Sequence, residues 1–255
     1  MSSRIAFNSA NLVGRVTGGK FVLKNWGQQH TKTAEQTDEK EWAKICSEVA
    51  AAGYHAIEVW VAHVDPAHMT DARATAYRKI MADHGLQAIG LAGTLNDDHA
   101  RVCHQLNIPV CNGGLWNTDL RNVRRVMKET GVNYNFENHG EKSVDDILDA
   151  MNGGAGGVGV AVDTGWLGTH GLDAPSVIRE LGDLVTHVHL KDVKHKGGHE
   201  TCPLGTGVVN IAGSIQTLKE MGYAGWYSWE DEPEDRNPMD IAQAMREWIE
   251  EQLRS

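Results

Sequence analysis

Short apolar runs alternate with amphipathic stretches along the whole chain. The runs Ile5–Ser9, Ala56–Ala62, Gln87–Gly93, Ile108–Asn112, Asn133–Asn138, Val158–Asp163, Val185–Lys191 and Trp226–Glu230 have strand-like length and are bounded by turn residues. Helical patterns fill the intervals. Thr37–Ala52 opens with TDEKEW, a Thr at the cap and acids in the first turn. Thr70–His84 stops at Gly85, and Thr118–Thr130 stops at Gly131. Ser143–Met151 opens with SVDD, which resembles a capping box. Pro175–Leu181, Ile211–Met221 and Pro238–Leu253 complete the set. Eight strands alternating with helices predict an α/β fold, a closed parallel (β/α)₈ barrel of the TIM type. A doubly wound open sheet is the rival, but it would gather its site at one switch point, and no GxGxxG run follows the first strand. The longest stretch without a clear pattern is Ala10–Gln36, expected to lie over the first strand's C-terminal end as a lid or substrate wall.

Four of the later runs end in residues that bind hard cations: Glu137 in NYNFENH, Asp163 in VGVAVDTGW, His189 in VTHVHLKDV and Glu230 in GWYSWEDEP. Three carboxylates and one imidazole form an oxygen-rich set suited to Mn²⁺ or Mg²⁺. Taken singly, each has an ordinary explanation: a strand-to-turn Asp, a solvated Glu or a hydrogen-bonded core His. Together, at consecutive strand ends, they would crowd one rim with carboxylates that need a cation to be tolerated. Strand alternation puts Asn135, Glu137 and His139 on one face, and His187, His189 and Lys191 on one face.

Length and charge narrow the field. The 255 residues suit one barrel domain, residues 1–255, with no low-complexity linker. The net charge of −10, without a basic run, argues against nucleic acid as substrate or partner. Four cysteines without a CxxC pair read as reduced thiols. No apolar run is long enough for a membrane span or a signal core, so a cytoplasmic protein is expected.

The segments EVWVAHVD, NFENHG, AVDTGW, THVHLKDV, PLGTGVVNI and SWEDEP, between Glu58 and Pro233, resemble the xylose isomerase-like barrel superfamily, in particular its sugar phosphate isomerase/epimerase branch. That resemblance implies one divalent ion, Mn²⁺ first and Mg²⁺, Co²⁺ or Zn²⁺ as alternatives, on Glu137, Asp163, His189 and Glu230. It also implies that Glu137 and Glu230 move protons beside a substrate carbonyl, in the manner of an isomerase or epimerase of a keto-sugar. The chain departs from the branch at two points: Trp166 stands where a His three residues after the Asp is usual, and His195 where an Arg six residues after the His is frequent. EVWVAHVDP, ENHG, DTGW and the acidic ending also resemble catalytic subunits of bacterial C-glycoside deglycosidases. That second resemblance implies a lyase or hydratase on 3-keto-glycosides, with His139 as acid or base and a small β-rich partner subunit. A homo-oligomer is open under either reading.

Other candidates carry two readings each. His63, after the second strand, is a substrate contact or a plain loop His. Glu58 points inward to the site or is a structural carboxylate. Lys191 holds a substrate oxygen or pairs with a neighbouring acid. Of His195 and His199 in KHKGGHE, one faces the substrate or both are solvated. Trp166 offers an apolar wall, and Trp26 and Lys24 could cover the pocket. Trp60, Trp116, Trp226, Trp229 and Trp248 read as packing residues, and His68, His84, His99 and His104 as exposed surface. The GxG of PLGTG reads as a tight turn, since alone it is a weak phosphate signal.

Overall fold

The computed structural model describes residues 4–19 and 21–255. Eight parallel strands close into a barrel: β1 (Ile5–Asn8), β2 (Ala56–Trp60), β3 (Gln87–Ala92), β4 (Val110–Gly113), β5 (Asn133–Glu137), β6 (Gly159–Asp163), β7 (Val185–Leu190) and β8 (Tyr227–Trp229). Each pairs with its sequence neighbours, and β8 closes on β1 through Ile5↔Tyr227 and Phe7↔Trp229. All eight sequence-predicted strands are present, with bounds within two residues. Near-complete burial of β1, β2, β6 and β7 explains their continuous apolar character, because helices cover the outer face and side chains fill the inner one.

The outer helices are α1 (Trp26–Gln36), α2 (Glu39–Ala51), α3 (Asp71–Asp83), α4 (Asp97–Leu106), α5 (Leu120–Thr130), α6 (Val144–Ala150), α7 (Thr164–His170), α8 (Ala174–Leu181), α9 (Ile211–Glu220) and α10 (Ala242–Arg254). Side-chain caps start most of them: Thr70 on α3, Asn96 on α4, Asp119 on α5, Ser143 on α6 and Asp173 on α8. α5 stops at Gly131 in the left-handed region, φ 75°. Among the described residues no helix is long and apolar enough to cross a membrane.

Three sequence expectations are corrected. Ala10–Gln36 is mostly helical: a 3₁₀ segment Ser9–Thr17, a 3₁₀ turn Leu23–Asn25 and α1. α1 shows no apolar stripe because its buried residues are Gln29, Thr33 and Ala34. The cap of α2 is Asp38, which accepts from the Glu41 N–H, while the Thr37 hydroxyl donates back to the Thr33 carbonyl and closes α1. Finally, α7 starts directly at the end of β6, where the sequence suggests only a turn.

His63 is also placed differently from a substrate contact. It is buried beside Trp42 and Trp60 and is not itself part of the cavity lining. Ser9 Oγ accepts from the Trp60 N–H at 2.7 Å and meets His63 Nδ1 at 3.0 Å, so the hydroxyl donates to a neutral ring. Burial, reinforced by Arg15, lowers the His63 pKa to about 3. A lowered folded pKa means the unfolded chain binds the proton first, so this contribution to stability is full above about pH 6.5 and declines as pH falls towards 3. Urea unfolding across this range should therefore lose stability less steeply in His63→Gln than in the parent; parallel profiles would contradict the assignment.

Candidate metal centre and cavity

Glu137 ends β5, Asp163 ends β6, His189 is the penultimate residue of β7 and Glu230 directly follows β8. Register aligns Asp163 with His189, and His189 with Ser228 two residues before Glu230. Parallel strands in this register deliver all four side chains to the C-terminal rim, where one donor atom from each lies within 4.8 Å of the others. All four are buried. Glu137 Oε1 and Glu230 Oε2 lie 2.7 Å and 2.9 Å from His189 Nδ1.

Each ligand candidate is held by a separate device. Asp163 Oδ1 caps α7, accepting from the N–H groups of Gly165 and Trp166, so the missed helix fixes this carboxylate. The Asn138 side chain clips β5 to β6 through the Asp163 backbone, 2.9 Å and 3.0 Å. Asn8 Nδ2 donates to Glu230 Oε2 at 3.0 Å. Lys191 Nζ lies 2.6 Å from Glu230 Oε1, 3.0 Å from Glu232 Oε2 and 3.1 Å from Asp163 Oδ2. A Cβ at Gly165 would strike the Lys191 stem, so the glycine makes room for that reach.

Glu58 resolves as an inward carboxylate beneath the rim. Its oxygens meet His187 Nε2 at 2.9 Å and His189 Nε2 at 3.0 Å, and accept from Asn112 Nδ2 at 2.7 Å. The hydrogen bonding continues from Asn112 to Asn135 and on to Thr186. Here Nε2–H is donated to Glu58 and Nδ1–H faces Glu137 and Glu230; a cation bound by Nδ1 would displace that second proton and leave the Glu58 contact in place. This carboxylate–imidazole pair is the arrangement that orients a metal-binding His.

Burial pushes the Glu58 carboxyl up, but His187 and His189 outweigh it and hold the pKa well below the usual range. Burial lowers His189, and Glu58, Glu137 and Glu230 more than reverse that, raising its pKa. Lys191 is likewise raised by Asp163, Glu230 and Glu232 against burial. Burial raises Asp163 despite Lys191. Burial would also raise Glu230, yet Lys191 and His189 pull it well down. Glu232, with burial dominant over Lys191, is pushed up to about 8.

A cavity of about 720 Å³ opens above these groups. Its lining includes Glu137, His139, Trp166, Lys191 and Trp26 from the sequence candidates. His139 Nε2 stands 3.9 Å from Glu137 Oε2 and is partly accessible. His195 is exposed and outside the lining, which corrects its expected substrate contact; Lys24 is exposed as well. His199 turns inward instead, its ring stacked on Trp166 at 3.7 Å and its Nδ1 2.8 Å from Thr169 Oγ1. Burial, with Lys191 adding to it, lowers the His199 pKa to about 2.

Trp60, Trp116 and His99 line the cavity, although their sequence patterns read as packing or surface. The usable signal was position: Trp60 ends β2, and Trp116 follows β4 on the active rim. The GxG of PLGTG is a turn that donates the Gly205 and Gly207 N–H groups to Asp192, at 3.0 Å and 2.9 Å, which leaves no phosphate cradle there.

A family model described as xylose isomerase-like TIM barrel matches residues 46–252. No curated protein matches the chain. Similar solved structures include an L-ribulose 3-epimerase (18% identity, 99% of this chain and 95% of that one, TM-score 0.69). A D-allulose 3-epimerase from Methylomonas sp. is similar at 16% identity over 98% and 99% of the two chains, TM-score 0.67. The probable 3-DHS dehydratase AsbF from Bacillus anthracis is similar at 12% identity over 97% and 98%, TM-score 0.69. At these identities the likeness is one of fold.

The Glu58–His189 pair gives a direct prediction. Glu58→Gln should keep the fold and weaken Mn²⁺ affinity by about 10- to 100-fold, read by calorimetric titration. Unchanged affinity would show that Glu58 does not support the centre.

Proposed function

Because the chain belongs to the xylose isomerase-like TIM barrel family, we propose that it is a divalent-metal-dependent isomerase or epimerase of a keto-sugar, working by proton abstraction beside the carbonyl. The observation that carries this reading is the buried set of three carboxylates and one imidazole, within 4.8 Å of one another on the floor of a cavity. The donor set fits one hard cation, with Glu137, Asp163, His189 and Glu230 holding it and Mn²⁺ the first choice. When bound, the ion supplies Lewis-acid stabilisation of the negative charge that develops on substrate oxygen. Two of the similar structures, an L-ribulose 3-epimerase and a D-allulose 3-epimerase, agree with this chemistry.

The protein's own groups divide the remaining work. Asp163 is not in the cavity lining and its Oδ1 caps α7, which keeps it from the substrate. Glu137 and Glu230 both line the cavity, and they take and return the proton on the substrate carbon. His139, close to Glu137 and partly accessible, exchanges the abstracted proton with solvent. Lys191 keeps Glu230 and Glu232 in place. Trp26 and Leu23 bring the α1 side of the cavity over the reaction and limit water.

A second reading shares the first step. If His139 protonates a leaving group, abstraction ends in elimination, and the enzyme is a lyase or hydratase on a 3-keto-glycoside. The position of His139 beside Glu137 favours keeping it, and under this reading a small β-rich partner subunit could be required. The two part at the product: a rearranged sugar or a released aglycone.

Deuterium uptake from D₂O at the carbon beside the carbonyl, measured by mass spectrometry on metal-loaded protein, tests the shared step. Glu230→Gln should lose about 10²- to 10⁴-fold in exchange rate, with an unchanged circular dichroism spectrum. Full exchange in a metal-stripped and reloaded variant would remove Glu230 from the chemistry.

A further inference from the structure

His99 reads as exposed surface in the sequence, yet it stands in the cavity wall. It is the third residue of α4, the helix that follows β3. The closed strand order sets β3 opposite β7, which carries His189. His99 therefore belongs to the wall that faces the carboxylates from across the barrel mouth.

Two hydrogen bonds fix what this wall presents. Asn96 Oδ1 caps α4 by accepting from the His99 backbone N–H at 2.8 Å. His99 Nδ1 meets the Thr94 carbonyl, which can only accept, so Nδ1 carries the ring proton. Burial lowers the His99 pKa and outweighs the Thr94 carbonyl, Asp98 and Asp65, which keeps the ring neutral at neutral pH. A neutral imidazole has one N–H, so Nε2 is a bare acceptor. Among the described residues nothing donates to it. The cap orients Asn96 in the same way. With Oδ1 spent on the helix, Nδ2 is a donor that has no acceptor among the described residues. Both side chains line the cavity.

A bare acceptor beside a free donor matches one kind of group. A hydroxyl gives its hydrogen to Nε2 and a lone pair to Nδ2. An ether, carbonyl, carboxylate or phosphate dianion has no hydrogen for Nε2 and sets lone pair against lone pair. An anion finds no help nearby either. The β1–β4 half of the lining contributes no Lys or Arg, and Asp97 and Asp98 occupy the first turn of α4. Burial also lowers the pKa of His30 on the same side, despite Asp65.

We infer that His99 and Asn96 form a hydroxyl-reading subsite across the cavity from the carboxylates, and that His99 is a specificity-determining residue. It selects keto-sugars that keep a free hydroxyl at the end remote from the reacting carbonyl. This inference rests on the proton-abstraction reading above and adds to it the residue that reads the far end of the substrate.

Two substitutions separate the subsite from the fold. His99→Asn keeps an amide N–H where Nδ1 stands, for the Thr94 carbonyl, and removes Nε2. His99→Gln places an amide oxygen where Nε2 stands. The probes are D-allulose and its 4-, 5- and 6-deoxy analogues with Mg²⁺-loaded protein, read by calorimetric affinity and by deuterium exchange. In the parent, loss of one of these hydroxyls should cost about tenfold. In His99→Asn that penalty should vanish, because D-allulose falls to the level of the deoxy sugar; in His99→Gln most of it should return. Independently of any sugar, ¹⁵N-histidine NMR of the parent should show His99 as the Nδ1–H tautomer. An Nε2–H tautomer, deoxy penalties that all survive His99→Asn, or no binding of D-allulose would overturn the inference. Exchange without a His99-dependent penalty sinks the subsite and leaves the abstraction reading. A His99-dependent penalty in binding, with no exchange on any compound, supports the subsite and sinks the abstraction reading.

Discussion

Carboxylates gathered in a dry barrel mouth repel one another and lose their hydration, so they persist only where positive charge and hydrogen bonds compensate. Here Glu137, Asp163, Glu230 and Glu232 are buried around one rim, with Glu58 buried beneath them. Lys191 reaches three of them and His189 reaches three, with Glu230 common to both. These two side chains therefore hold the carboxylates together at the barrel mouth. Glu232 has Lys191 alone as its ionic partner in this cluster, and it is the member whose pKa rises to about 8.

The barrel serves that constraint at several levels. Strand register brings the four donors to one height, and the polar chain from Thr186 through Asn135 and Asn112 to Glu58 supports His189 from below. Gly90 and Gly159 leave the space this chain occupies, since a Cβ on either would collide with Asn112 or with Thr186 and Asn135. Asp163 links the centre to the scaffold, because one oxygen caps α7 while the other faces Lys191. Asp192 anchors the loop after β7 through four backbone N–H groups, which steadies the cavity wall beside Lys191.

Much of this was readable from the chain. Strand-length apolar runs gave all eight strands because buried parallel strands need no polar alternation. Their terminal acids and imidazole stood out because charged side chains rarely end so many buried runs. What stayed hidden depends on tertiary context. α7 is only seven residues and opens with Thr-Gly, so its start depends on the Asp163 cap rather than on helix propensity. His63 and His195 lie on comparable loops, yet Ser9 and two tryptophans enclose one and solvent surrounds the other. The position of Trp116 after β4 places it on the active rim but does not separate a packed indole from one displayed at the cavity mouth. Only the path of the loop after β4 decides it.

The division of labour follows from the same electrostatics. Among the described residues the lysine and glutamates of the cavity lining come from the β5–β8 half, and the β1–β4 half contributes uncharged side chains with Trp26, Trp60 and Trp116 among them. The claim on which everything else stands is that Glu137, Asp163, His189 and Glu230 bind one divalent ion together. A crystal structure of the Mn²⁺-loaded protein, with an anomalous difference map, tests it most directly. The account predicts one strong peak bonded to all four side chains, with Lys191 Nζ moved off Asp163. A peak elsewhere, or none at these residues with Lys191 still bridging the carboxylates, would contradict it.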